Sequence, residues 1–149
     1  GFLHQNGLVH RDVKPANIIY VDGKAKLADI GLVIQTDASI SWVGTHGYIP
    51  REGPGRAPAD VFALGKVLYE LATGKDRADF PEIDVMDPAL KGLNHVFLKA
   101  CAEEPDCRFI NAEAMADELQ KLSIPLRVMR LVHLHKAPLR LRPSLQVCC

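Results

Sequence analysis

The rhythm of apolar and polar residues changes several times along the chain, and each rhythm predicts a different element. From Pro58 to Gly74 apolar residues recur every third or fourth position. Val61, Leu64, Leu68 and Leu71 form one stripe, and Phe62, Val67 and Tyr69 cover most of the remaining surface. That pattern is a helix, opened by Pro58-Ala59-Asp60, closed by Gly74 and apolar on nearly all sides, so it belongs in a core. Leu93, Val96, Phe97 and Ala100 predict a second helix, and Asn111 is placed to cap a third that runs to about Leu122 with Met115 and Leu119 facing inward. Upstream, Gly1 to Gly7 has the signature of a helix end stopped by Asn6-Gly7, followed by apolar Leu8-Val9. Ile18-Ile19-Tyr20-Val21, Asp22-Gly23 and Lys24 to Leu27 predict strand, tight turn and strand, with Gly23 at positive φ. Leu32-Val33-Ile34 predicts a further short strand, and residues 75–89, with Pro81, Asp84, Asp87 and Pro88, an irregular link. The sum is a mainly helical α+β fold carrying one small hairpin.

Composition adds that this is an ordinary globular chain of one domain or part of one: 149 residues, 48% hydrophobic and 24% charged. Formal charge is zero, yet unevenly spread. Residues 123–149 hold Arg127, Arg130, Lys136, Arg140 and Arg142 and no acid, which leaves residues 1–122 with 13 basic against 18 acidic side chains, a net of −5. A mildly acidic body argues against a nucleic-acid partner. No run of 18 apolar residues exists to span a membrane, so membrane attachment is expected only through parts outside these residues. No secretory leader is recognisable, and Cys101, Cys107, Cys148 and Cys149 lack the spacing of a zinc site or a secreted disulfide framework. A reduced, cytoplasmic setting is expected.

The domain expectation is a folded unit over residues 1–122 and a basic tail over 123–149. In the tail Leu126, Met129, Leu131, Val132 and Leu134 mix with Arg and His as in a membrane-surface helix, but Pro125, Pro138 and Pro143 break it into short pieces. His133 and His135 lack a third metal ligand, and Cys148-Cys149 carries no recognisable chemistry. A linker remnant or an out-of-frame end to the gene are the two readings of this tail.

The hairpin gives the chain its candidate chemistry. A strand pair this short returns on itself, so Asn17 at its entry and Asp29 at its exit end up side by side, with Asp12 and Lys14 on the loop just before. Three oxygen-bearing side chains and one lysine then converge, as is needed to hold magnesium on a polyphosphate and to orient a hydroxyl towards it.

His10-Arg11-Asp12-Val13-Lys14-Pro15-Ala16-Asn17, followed by Asp29-Ile30-Gly31, resembles the catalytic and magnesium loops of eukaryotic-like (Hanks-type) serine/threonine protein kinases. The resemblance implies a kinase large (C-terminal) lobe and transfer of the γ-phosphoryl of Mg-ATP, or Mn-ATP, to Ser or Thr of a protein. Asp12 would accept the hydroxyl proton and Lys14 would neutralise the moving phosphoryl group. Asn17 and Asp29 would hold the metal, and Ile19 would floor the adenine pocket; by its pattern alone Ile19 is a buried strand residue. His10 and Gly31 would be structural. Ile30 stands where Phe is commonest and is expected to keep an apolar packing role.

The resemblance continues downstream. Gly44-Thr45-His46-Gly47-Tyr48-Ile49-Pro50-Arg51-Glu52 is similar to the segment that closes the activation loop, with Thr45 implied to bond the catalytic Asp and Lys. Thr36, Ser39 and Ser41 are candidate phosphosites for pairing with Arg11, or simply loop hydroxyls. Arg51 replaces the usual Pro and is expected to cost stability unless it reaches solvent. Glu52-Gly53-Pro54-Gly55 resembles a bacterial version of this loop. Glu103 to Phe109 resembles the closing segment of the lobe, in which Arg108 would pair with a buried Glu52. Asp60 would tie the core helix to the backbone of the catalytic loop, or serve as an acid favoured by the helix dipole.

No residues of the chain supply a glycine-rich phosphate loop, its lysine or the lysine's glutamate partner, so the small lobe is expected to be absent. Two rival readings remain beside the kinase. One is a non-catalytic binding module descended from a kinase. The other is a small-molecule phosphotransferase, which the Lys14 pattern and the Gly44-Thr45 and Glu52 segment argue against.

Overall fold

In the computed structural model, residues 1–36, 42–82 and 88–122 are described, without the side chains of residues 88 and 89. Ser39, Ser41, Asp84, Asp87 and the whole tail with its two histidines and Cys148-Cys149 lie outside them. The helices are α1 (Phe2–Gln5), α2 (Ala57–Thr73), α3 (Pro88–Ala100) and α4 (Ala112–Lys121). The strands are β1 (Leu8–Val9), β2 (Ile18–Val21), β3 (Lys24–Leu27) and β4 (Ile34–Gln35).

Helix α2 forms because a 17-residue run without a breaker is bounded by two signals. Pro58 sits in its first turn, where no backbone N–H is required, and Gly74 ends it in the left-handed region at φ 70°. Ala59, Val61, Ala63, Val67 and Tyr69 are its most buried apolar residues, whereas Leu64, Leu68 and Leu71 of the expected stripe are half-buried. Burial at every second position means that neighbours cover several sides, which is why no single stripe defines the core face.

Three apolar clusters share this helix. Val61 packs with Val96 and Ala100 of α3 and with Phe109 and Met115. Ala63 and Val67 pack with Val13 and Tyr48. Tyr69 packs with Leu93 and Phe97, its ring edge-on to Phe97 and to Phe80. The phenol of Tyr69 is buried, and it donates to the Glu82 carbonyl at 2.6 Å. Gly65 allows α2 to approach the end of α3, since a Cβ there would meet the Cys101 sulfur at 2.7 Å and the Ala100 Cβ at 2.8 Å. Asn111 caps α4 by accepting from the Ala114 N–H at 2.9 Å.

Strands β2 and β3 pair antiparallel from Ile18↔Leu27 to Val21↔Lys24. Both turn residues have positive φ, Asp22 at 51° and Gly23 at 74°, the geometry that suits the twist of a two-residue hairpin. Strand β1 pairs with β4, Val9 facing Ile34. The expected strand at Leu32-Val33-Ile34 therefore starts later. Asp29 takes a left-handed conformation and caps a 3-10 turn over Ile30–Leu32, so the chain is extended again only from Val33. Residues 75–82 include a further 3-10 turn at Arg77–Asp79. Among the described residues no helix is long and apolar enough to cross a membrane.

Candidate active site

The loop from His10 to Asn17 is held from behind by α2. The Asp60 carboxylate accepts from the backbone N–H of His10 at 2.7 Å and of Arg11 at 2.8 Å. Both donors follow β1 directly, where the chain must turn, and Arg11 turns it at φ 73°, a conformation that costs energy for a residue with a side chain. The His10 ring bonds the Ala28 carbonyl at 3.2 Å, tying the loop to the hairpin exit. A residue that the sequence reading passed over completes this support. His4 of α1 donates through Nε2 to Asp60 at 2.9 Å, and its Nδ1 accepts from the Ala112 N–H at the start of α4 at 3.1 Å. Its partners are 56 and 108 residues away, so no local pattern announces it.

On the outer side of the loop four side chains join in one network. The Lys14 ammonium donates to Asp12 Oδ2 at 2.7 Å and to Thr45 Oγ1 at 2.8 Å. Thr45 in turn donates its hydroxyl to Asp12 Oδ1 at 2.6 Å. The Asn17 amide donates to Asp12 Oδ2 at 3.0 Å and to the Asp12 carbonyl at 2.8 Å. Burial alone would raise the Asp12 pKa, but the bonds from Lys14, Thr45 and Asn17 outweigh it and hold the carboxyl below its ordinary 3.8. Thr45 can reach because Gly44, at φ 116°, lies against the loop: a Cβ there would fall 2.5 Å from the Arg11 carbonyl.

The hairpin brings Asn17 and Asp29 near each other, its base closed by the Ala28 N–H donating to the Asn17 carbonyl at 2.8 Å. Asp29 does not enter the Asp12 network. Its carboxylate is exposed and accepts from the Gly31 N–H at 3.3 Å. Among the described residues no group of three His, Cys, Asp or Glu side chains could hold a metal by itself. The donors that fit one are the Asp29 carboxylate and the Asn17 amide oxygen, hard ligands suited to Mg2+ completed by phosphate or water. With the Asn17 nitrogen committed to Asp12, that oxygen is the end of the amide left to face a cation.

Two expectations about packing need correction. Ile19 is 45% exposed and Ile30 73% exposed, so neither is buried. An apolar pattern fixes which side of a strand is shared, but burial also needs something to cover it, and among the described residues nothing does. Other placements concern the segment after the hairpin. Arg11 is buried, and Thr36 donates its hydroxyl to the Gly7 carbonyl at 3.1 Å, extending the β1–β4 pairing. Arg51 reaches solvent, with Glu103 at 3.8 Å. Glu52 receives Arg108 through two bonds, 2.6 and 3.1 Å. Also unforeseen is a cluster in which Tyr48 donates to Glu70 at 2.6 Å while Arg77 lies over the Tyr48 ring and pairs with Glu70 at 3.4 Å. Burial, then the Glu70 carboxylate, push the Tyr48 phenol well above its ordinary range.

Residues 1–124 match the sequence profile of the protein kinase domain. The chain belongs to the protein kinase family. This kinase chain is 36% identical over 152 residues to the serine/threonine-protein kinase PknB of Mycobacterium tuberculosis, covering 81% of the chain and 24% of that relative. It is 34% identical over 148 residues to PknB of Mycolicibacterium smegmatis, covering 79% of the chain and 23% of the relative. A probable serine/threonine-protein kinase of Clostridium acetobutylicum is 32% identical over 147 residues, 81% of the chain and 22% of the relative. The kinase chain thus spans under a quarter of the length of these bacterial relatives. All three of these relatives are named as serine/threonine-protein kinases.

Proposed function

We propose that this chain carries the phosphoryl-transfer half of a serine/threonine protein kinase, moving the γ-phosphoryl of ATP to a Ser or Thr hydroxyl of a protein. The observation that carries the reading is the Asp12 carboxylate held by Lys14, Asn17 and Thr45. A carboxylate offers about four acceptor directions, and three donors fill three of them, leaving one for an incoming hydroxyl. In the reaction the hydroxyl oxygen bonds the γ-phosphorus, the bond to the ADP oxygen breaks and the hydroxyl proton passes to Asp12. A depressed pKa keeps Asp12 ionised as acceptor at neutral pH, and Lys14 stands beside it to meet phosphoryl charge. Asn17 and Asp29 are the residues that would hold Mg2+, which supplies further neutralisation of the phosphates when bound.

The same reading makes residues 1–122 a kinase large lobe and assigns the other wall of the nucleotide site to a separate small lobe. Its support is the uncovered apolar edge formed by Ile19, Ile30 and Leu27, the last 39% exposed. A cytoplasmic setting and a protein rather than a nucleic-acid partner belong to it as well.

The test is phosphate transfer from labelled ATP to a protein substrate by the full-length gene product. Asp12→Asn is expected to lower kcat about 10²–10⁴-fold with little change in KM, as for loss of a general base. A variant as active as the wild type would defeat the assignment. The isolated 149-residue chain is expected to label nothing measurably, and Asp12-dependent labelling by it would overturn the two-lobe reading.

A further inference from the structure

Thr45 reaches Asp12 from a segment, residues 42–50, that contains neither helix nor strand, so other groups must hold it in register. On its upstream side Gly44 lies against the loop at the Arg11 carbonyl. Downstream the chain folds into one turn, closed by the Tyr48 N–H donating to the Thr45 carbonyl at 3.1 Å. The far end of that turn is gripped by Arg77, from the 3-10 turn that follows α2, a residue to which the assignments above give no role.

The Arg77 guanidinium lies 4.7 Å from the centre of the Tyr48 ring, with its Nη1 3.4 Å from Glu70 Oε1 and 3.5 Å from Asp76 Oδ2. Its backbone N–H also donates to Glu70 Oε1, at 3.3 Å. Glu70 Oε2 accepts the Tyr48 hydroxyl at 2.6 Å, so one carboxylate of α2 holds both partners. Gly47, at φ 86°, makes room for the rest of the side chain. A Cβ there would collide with Arg77 Nε and come within 3.0 Å of its Cδ, so the stem lies on the Gly47 backbone. Lys66 of α2, which faces the cleft of about 810 Å³ between α2 and the Thr45 segment, donates to the Arg77 carbonyl at 3.3 Å and steadies the turn that carries it. The Arg77 and Glu70 side chains are 29% and 16% exposed, so solvent screens this pair less than one on the open surface. A planar guanidinium can stack on a ring while its edge meets carboxylates, which a compact ammonium cannot do.

We infer that Arg77 is a positioning residue for the transfer step: by clamping Gly47 and Tyr48 against Glu70, it keeps the Thr45 hydroxyl on Asp12. The role rests on the phosphoryl-transfer reading, whereas the clamp itself rests on the geometry alone.

Two measurements test it. In the 149-residue chain, amide hydrogen exchange follows the Tyr48 N–H. Arg77→Met keeps the stem on Gly47 and removes the guanidinium; it is expected to speed Tyr48 exchange about tenfold or more while the amides of Val61 to Tyr69 keep their wild-type rates, because only a local opening is eased. Arg77→Lys, which keeps the charge and loses the fork, is expected to recover part of the protection. In the full-length gene product, Arg77→Met is expected to lower kcat about 10- to 100-fold with KM for ATP unchanged, the scale of a small misplacement at the reacting groups. Thr45→Val removes the hydroxyl through which Arg77 acts, so adding Arg77→Met to it is expected to cost no further kcat. A residue that merely supported the fold would slow both backgrounds by the same factor. Unchanged Tyr48 exchange, a wild-type kcat in Arg77→Met, or equal losses in the two backgrounds would each overturn the inference. A wild-type full-length protein without transfer activity would fail the kinase reading and the role with it, while the exchange rates still decide whether the clamp exists.

Discussion

At the scale of single residues, the best-satisfied polar side chain is Arg108. All five of its N–H donors are used, on Glu52 twice and on the carbonyls of Ala102, Pro58 and Glu103. Arg108→Ala leaves Glu52 facing a vacated, largely dry pocket, and a broken buried pair costs about 3–5 kcal/mol. Glu52 keeps 30% of its side chain in solvent, which points to the lower end. Urea denaturation measures this, and an unchanged midpoint would remove the pair from the account of stability. Asp12 predicts an acid response. Its folded pKa lies below the ordinary 3.8, so its contribution to stability is present above that value and is lost as pH falls through the folded value. Melting curves from about pH 5 downwards are expected to fall less steeply in Asp12→Asn. Cys101 predicts the opposite of reactivity: burial pushes its thiol up to about 12, against the smaller pull of Lys66 and Arg108. At pH 8, alkylation followed by peptide mapping is expected to mark exposed Cys107 well before Cys101. Equal labelling would show that the 57–109 core opens on the timescale of the reaction.

At the scale of elements, the contact between α2 and the end of α3 depends on a missing side chain. Gly65→Ala forces a methyl into the space of Cys101 and Ala100, and overpacking of this kind costs about 1–3 kcal/mol. A melting temperature at or above that of the wild type would mean that the two elements separate without penalty. Helix α2 was legible because its signals are local: Pro58, Gly74 and the apolar residues between them. The hairpin was legible for the same reason, from Asp22-Gly23. Asp12, Lys14 and Asn17 lie close together on one loop, so the sequence itself brings them together. His4 was not legible because its partners lie 56 and 108 residues away, and the Tyr48–Glu70–Arg77 cluster because it joins three different elements that no single local pattern links. The exposure of Ile19 and Ile30 was misjudged because a strand's pattern does not say whether its apolar side is covered.

At the scale of the whole molecule, α2 is the support for everything else. The three apolar clusters meet on it, its Asp60 fixes the loop carrying Asp12, and its Lys66 faces the neighbouring cleft. The hairpin has far less support, chiefly Ile18 against the Val13, Tyr48, Ala63 and Val67 cluster and the His10 ring on the Ala28 carbonyl. Among the described residues its two strands pair only with each other, and every residue of β3 is exposed. A lone two-stranded ribbon is marginal in water. In amide hydrogen exchange, the protons of Ile18 to Leu27 should therefore exchange through local opening, orders of magnitude faster than those of Val61 to Tyr69, which wait for global unfolding. Asp29 is attached at the end of that ribbon. Asp29 is thus mounted on a part of the molecule that opens readily, and on the metal role proposed for it above, any body that settles on the hairpin would slow its exchange and steady that proposed ligand in the same event.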